Sequence, residues 1–200
     1  FDYFFGLSLV LTTIGDKFRQ ASTSIPLKPL LKKPRVLMRL MRAMIKSKLA
    51  RRHIKPGDIW KVRGILCGGL DSFVYRDKIR EQWGRYPLDL YIGSEGGIYA
   101  MQAWDYTTMT FLPNLNFLEF IPEEEQIKWQ MDRSYQPETL LLDEVKAGEI
   151  YEIVITNFHG GAMVRYRPGD MIRITALRNE ATGINLSQMV FERRADDIID

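Results

Sequence analysis

A single carboxylate, Glu95, stands among glycines in the stretch LDLYIGSEGG (88–97), where an apolar run stops abruptly. Glycine at such a place lets a backbone approach a flat ring or a phosphate closely. Ser94 brings a hydroxyl suited to a phosphate oxygen, and Tyr91 brings a ring face. Glu95 brings the hard oxygen preferred by Mg²⁺, a cation usually held by one or two carboxylates together with phosphates and water. A Gly68-Gly69 pair closes an earlier apolar run. A further stretch, VRYRPGD (164–170), puts Asp170 directly behind a Pro-Gly turn. There its carboxylate can accept from the turn itself or from two hydroxyls of a ligand. Turns carry glycine, serine and glutamate for their own reasons, so each stretch alone also admits a purely structural reading. His159-Gly160-Gly161 reads as a loop and is assigned no role.

Other chemistries find less support. No Ser/His/Asp or Cys/His arrangement suggests itself, and there is no phosphate-cradling loop of the GxxxxGK[ST] type. Cys67 is the only cysteine, so an intrachain disulfide is impossible and a reducing, cytoplasmic setting is expected. With only His53 and His159 beside it, a structural zinc site is not expected. The apolar run YFFGLSLVLTTI (3–14) is too short to span a bilayer, and no basic leader precedes it. At 46% hydrophobic and 26% charged, the chain has the composition of a globular protein with a substantial core.

The elements that must hold these residues can be placed by periodicity. Helices are expected over 3–20 and 34–52, joined by the Pro-bearing connector STSIPLKPLLKKP. A strand is expected over 58–70, then a helix capped by Asp71 or Ser72. On that helix Tyr75, Ile79 and Trp83 align at i, i+4, i+8 before Gly84 ends it. A second strand over 87–92 completes a strand-helix-strand unit, the signature of a parallel sheet covered by helices. In such sheets ligands sit outside the carboxyl ends of the strands, so Gly68-Gly69 and Gly93-Ser94-Glu95 are expected on one rim. Beyond Gly97 the texture changes to short strands: IYAMQAW, TMTFL, NFLEFIP, TLLLDEV, GEIYEIVIT, DMIRITAL and SQMVFERR. Residues 123–138 are polar and read as a surface excursion. The fold class is α/β, with an α/β subdomain over 1–110 and a β-rich subdomain over 111–200.

Charge is unevenly distributed. Eleven of the 28 bases lie between Pro26 and Pro56, where there is no acid, so the remainder of the chain is net acidic. Such a segment suits an anionic membrane or a nucleic acid, or it is simply the solvated face of a helix. Val36, Leu37, Leu40, Met41, Met44 and Ile45 recur at helical spacing and are expected to dock on the core. No aromatic or base-reading group is interleaved, and nucleic-acid binding is not expected.

The order of motifs adds a resemblance. CGGLDSFVYRDKIREQWGRYPLDLYIGSEGG, FLPNLNFLEFIP, GEIYEIVITNFHGGAMVRYRPGD and FERRADDIID, in this order, resemble the adenylate-forming ligases. Within that superfamily the likeness is to the auxin-responsive promoter family, the Gretchen-Hagen acyl-acid amido synthetases of plants and their bacterial relatives. Tyr91, Ser94 and Glu95 match its Tyr-x-x-Ser-Glu segment. Pro113, Asn114, Glu119, Phe120 and Pro122 match a second segment, and Tyr166, Arg167, Gly169 and Asp170 a third.

That resemblance implies the large domain of such an enzyme, its mostly parallel sheet followed by a distorted antiparallel, barrel-like subdomain. It implies that Gly68, Gly69 and Tyr91 surround adenine, with Tyr91 stacking on it. Ser94 would touch the α-phosphate, Glu95 would hold Mg²⁺, Asp170 would bind the ribose hydroxyls, and Arg194 would contact the nucleotide. Ser94 and Glu95 are thus the expected catalytic residues. Asp196 resembles the hinge to a mobile lid, and the lid and a triphosphate-gripping loop are expected outside this chain, so that the chain alone is expected not to turn over. The implied reaction uses ATP and Mg²⁺ to convert a small carboxylic acid into an acyl-AMP, then passes the acyl group to an amino acid or to coenzyme A. RRADDIID also resembles the phenylacetate-type CoA ligases, and a non-catalytic binding module built on the basic 26–56 segment is the third reading.

Overall fold

A computed structural model describes residues 2–21, 33–69, 72–158 and 163–196. Most of the connector, Asp71 and the His159-Gly160-Gly161 loop lie outside the described residues. The chain forms two compact units, residues 1–89 and 90–200. The α/β class expected from the sequence is observed. The units divide at 89/90 rather than at the expected 110/111, because β-strands on either side of the texture change at Gly97 pair with one another.

The first unit comprises β1 (Tyr3–Leu7), α1 (Ser8–Ala21), α2 (Pro34–Leu49), α3 (Pro56–Ile59), β2 (Gly64–Gly68) and α4 (Ser72–Trp83). β1 and β2 pair in parallel, Tyr3 opposite Gly64 and Leu7 opposite Gly68. The helix expected over 3–20 therefore begins only at Ser8. YFFGL is extended because it pairs with β2, which turns Phe4 inward and Tyr3, Phe5 and Leu7 outward. The strand expected over 58–70 is shorter too, since PGDI closes a helical turn first. Leu11, Val62, Ile65, Cys67, Ile79 and Trp83 form the core of this unit. Trp83 is fixed there by stacking on Trp60 and by donating from Nε1 to the Leu11 carbonyl at 3.2 Å. α4 follows its expected pattern and stops at Gly84, whose φ of +78° few other residues tolerate.

α2 docks differently from expectation. Only Leu40, Ala43 and Ser47 are buried, one narrow row at i, i+3, i+7, whereas Val36, Met41, Met44 and Ile45 are exposed. The row is narrow because the helix is tethered at its end by side chains. Ser47 Oγ donates to the Arg52 carbonyl, and Asp58 accepts from Arg52 and Lys46. The Arg52 guanidinium holds the Asp58 carboxyl well below the usual carboxylate range.

β3 (Leu88–Gly93) leads into the second unit, followed by β4 (Gly97–Gln102), β5 (Met109–Phe111), β6 (Phe117–Pro122), α5 (Glu123–Met131), β7 (Ile150–Asn157), β8 (Met163–Tyr166), β9 (Asp170–Ala176) and β10 (Gln188–Arg194). The strands run antiparallel in the order β3-β4-β5-β10-β9-β7-β6. β8 pairs with the later part of β7. Tyr99, Phe111, Phe120, Tyr151, Ile153, Ile155, Ile172, Ile174 and Met189 make the core. Ile172 and Ile174 share a face as expected, and Met171 on the other face is buried as well.

One expectation fails here. TLLLDEV contributes only a bridge between Leu140 and Phe120, after which the chain turns at Leu141–Glu144. The polar stretch after Pro122 begins as α5, its three glutamates in the first turn favoured by the positive end of the helix dipole.

Candidate functional site

Ser94, Glu95 and Gly96 turn β3 directly into β4. Gly93 lies opposite Gly97, and Gly97 adopts φ +73°, the left-handed backbone a short hairpin of this kind needs. The stretch is thus a hairpin between β3 and β4. Its glycines do make room, but for the protein's own side chains. A Cβ on Gly93 would stand 2.5 Å from the Tyr99 hydroxyl, and one on Gly96 would stand 2.6 Å from Tyr99 Cε1 and 2.9 Å from both Asn116 Oδ1 and Asn157 Nδ2.

Those three side chains form the floor of the hairpin. Asn157 Nδ2 donates to the Glu95 carbonyl at 3.2 Å and to Asn116 Oδ1 at 3.0 Å. Asn116 Nδ2 in turn donates to the Ile98 carbonyl at 3.2 Å. Tyr99 and both asparagines escape a sequence reading because their partners lie up to 62 residues away. With its backbone held this way, Glu95 keeps a half-buried carboxylate that no Lys or Arg ion-pairs among the described residues, and Ser94 is exposed at the tip.

Asp170 opens β9 and is buried. The Tyr91 hydroxyl donates to its Oδ2 at 2.7 Å, and Arg194, paired with it across β9 and β10, places Nε 3.4 Å from its Oδ1. Oδ1 accepts no hydrogen bond among the described residues. The Ala195 amide donates to the Gly169 carbonyl at 2.7 Å and ties the end of β10 to the same turn. Tyr91, expected to offer a ring face, is itself buried. Tyr99 meets it edge-on at 5.1 Å and Phe191 lies tilted at 6.5 Å, so its working group is the hydroxyl. Burial, reinforced by the Asp170 charge, pushes that phenol far up.

The Tyr99 hydroxyl is buried and makes no hydrogen bond among the described residues. Burial first, then the charge of Glu95 and, more weakly, that of Asp170 push its phenol up to about 12. Glu95 and Asp170 therefore act on one hydroxyl, and Tyr91, Ser94, Glu95, Asp170 and Arg194 all belong to the second unit. Gly68 and Gly69 belong to the first, where Gly68 ends β2 and Gly69 takes φ +119°.

The remaining motif residues serve the framework. Arg167 donates from Nε to Glu152 at 2.9 Å, and its guanidinium lies 3.9 Å from the centre of the Trp129 ring. Glu119 accepts from Thr139 Oγ1 at 2.9 Å and pairs with Arg165.

The site fits a nucleotide and its cation in two respects. Asp170 Oδ1 is a buried acceptor that takes no hydrogen bond among the described residues and faces Arg194, and Glu95 is a carboxylate that no Lys or Arg ion-pairs among them. Among the described residues no cluster of three or more His, Cys, Asp or Glu could hold a metal alone. A cation held by one carboxylate and by phosphates needs no such cluster.

Residues 109–188 match the family model described as the GH3 family central domain. A jasmonoyl–L-amino acid synthetase of Nicotiana attenuata is 37% identical over 124 residues, 59% of this chain and 20% of the relative. A jasmonoyl–L-amino acid synthetase of Oryza sativa subsp. japonica is 33% identical over 134 residues, 59% of this chain and 22% of the relative. The chain thus spans about a fifth of the length of these relatives. In fold it is similar to the GH3.15 acyl acid amido synthetase, with a TM-score of 0.50 and 21% identity over 72% of this chain and 24% of that one. It is also similar in fold to an open conformation of 2-hydroxyisobutyryl-CoA ligase, with a TM-score of 0.62 and 13% identity over 99% of this chain and 35% of that one.

Proposed function

With residues 109–188 a GH3 family central domain carried on an adenylate-forming ligase fold, we propose that this chain supplies the nucleotide-binding wall of an ATP-dependent ligase acting on a carboxylic acid. The acid's carboxylate attacks the α-phosphorus of ATP, the bond to pyrophosphate breaks, and acyl-AMP results. An amine, in this reading that of an amino acid, then displaces AMP to form an amide.

The observation that supports this most is the buried Asp170, one oxygen held by Tyr91 and the other facing Arg194, in the same unit as the hairpin that carries Glu95. Asp170, held by Tyr91 and flanked by Arg194, suits the two hydroxyls of a ribose. Glu95, which no Lys or Arg ion-pairs among the described residues, suits a Mg²⁺ ion, which when bound neutralises phosphate oxygens. Ser94, exposed beside it, reaches toward the α-phosphate. The site residues do no covalent chemistry in this scheme. Positioning and charge neutralisation carry the rate, and a fixed hairpin serves both. Gly68 and Gly69 are assigned to the adenine edge, and Asp196 to the hinge. A cytoplasmic setting fits the single, buried and unpaired Cys67.

Pyrophosphate exchange into ATP by the full-length protein, run over a panel of carboxylic acids, tests the reading. Exchange dependent on one acid and abolished by Glu95→Ala is expected. A protein that exchanges with no acid, and whose nucleotide affinity ignores Glu95→Ala, would refute it. Coenzyme A as acceptor is the second reading, favoured by the RRADDIID stretch. Mass spectrometry of the product, amide or thioester, decides between the two.

A further inference from the structure

The outer face of α2 has no role in this chemistry. Met38, Met41, Ile45 and Leu49 recur at i, i+3, i+7, i+11 and form one apolar stripe, each of them exposed, Leu49 to 81%. The stripe lies on the side of the helix away from the buried row Leu40, Ala43 and Ser47. Bases line both of its margins, Arg35 and Arg42 on one side and Lys48 on the other. None of these three forms an ion pair among the described residues, whereas Lys46 is bound to Asp58. α2 contains no acidic residue, and the chain outside 26–56 is net acidic.

We propose that this face of α2 is a peripheral membrane-binding surface for anionic lipid headgroups. An apolar stripe flanked by bases is the pattern of a helix lying in the interface plane. Its apolar side chains enter the headgroup–acyl boundary and its cations meet lipid phosphates. A nucleic acid would use the bases but leave Met38, Met41, Ile45 and Leu49 in water, and the helix has no aromatic side chain to stack on bases. At 16 residues, with a base in every turn, α2 is built to lie on a bilayer, and no helix among the described residues is long and apolar enough to cross one.

The test is flotation of the full-length protein with vesicles of phosphatidylcholine alone and of phosphatidylcholine mixed in equal parts with phosphatidylserine. Binding to the mixed vesicles alone is expected, falling as salt is raised. The double variant R35Q/R42Q should weaken it about tenfold or more. M41S/I45S should abolish it at unchanged circular dichroism, since both side chains are exposed. Failure of the wild-type protein to float with anionic vesicles overturns the proposal. So does flotation untouched by M41S/I45S. So does binding of an RNA oligomer that survives M41S/I45S while vesicles are ignored.

Discussion

Tyr91 and Asp170 are joined by a 2.7 Å hydrogen bond from the phenol to Oδ2, although three strands separate β3 from β9 in the sheet. The bond fixes one oxygen of the carboxylate and leaves the other, Oδ1, without a donor but beside Arg194. Asp170 is thus a carboxylate with one oxygen held by a phenol and the other facing a guanidinium.

Tyr91→Phe removes the donor and keeps the ring packing. A hydrogen bond to a charged acceptor contributes about 1.5–3 kcal/mol, and its loss leaves a buried oxygen unsatisfied. Chemical denaturation should show a stability loss of that size, and calorimetric titration a weaker affinity for the nucleotide. A variant as stable as the parent would mean that the bond does not form in solution.

Gly96→Ala tests whether the hairpin glycines serve packing. The new methyl would lie 2.6 Å from the Tyr99 ring and 2.9 Å from both Asn116 and Asn157, so the floor of the hairpin must shift. Overpacking of this kind costs about 1–3 kcal/mol. Because Asn157 holds the Glu95 carbonyl, activity should fall further than stability alone explains. Gly97→Ala is the comparison, with nothing near its Cβ and only the φ of +73° to strain it.

Arg167 and Glu152 give the largest expected effect. Glu152 is buried, and Arg167 meets it with Nε and Nη2 while covering the Trp129 ring. Arg167→Ala leaves that carboxylate buried without its cation, and breaking such a pair costs about 3–5 kcal/mol. Thermal unfolding should register it directly. The double variant Arg167→Met with Glu152→Gln should recover much of the loss, since neither partner is then charged. Recovery would separate a framework role from contact with the nucleotide.

The legible part of the fold is that governed by local rules. α4 was readable from Ile79, Trp83 and Gly84, and β7, β9 and β10 from their alternation. YFFGL was read as helix because a short apolar run carries no period of its own, and its extended state is decided by pairing with β2, some 60 residues away. α5 is not legible within the polar surface stretch after Pro122 because its polar face hides the 3.6 period, leaving Gln126 its only buried residue. The site divides along the same line. Glu95, Ser94 and Asp170 stand in short motifs and could be picked out. Tyr99, Asn116 and Asn157 become visible only when β4, β6 and β7 converge beneath the hairpin. The sequence points to the Tyr91 ring, whereas only the packed core shows that Tyr99 and Phe191 cover that ring and that the hydroxyl meets Asp170.

Tyr99 makes stability depend on alkaline pH. Its phenol titrates near 10 when exposed and is pushed up to about 12 here by burial and by Glu95. A raised pKa favours the protonated folded state, so its contribution is complete below pH 10. Above that the unfolded chain releases a proton that the folded chain retains, and stability falls until the folded phenol ionises near pH 12. Tyr99→Phe cannot lose that proton and should fall less steeply over the same window. Urea denaturation of both proteins at several pH values between 9 and 12 checks it, with the lysines, common to both, cancelling in the difference. Ultraviolet titration should show one fewer late-ionising phenol in the variant. Equal slopes for the two proteins would mean that the Tyr99 hydroxyl reaches solvent, and that the Gly93 and Gly96 backbones do not close over it.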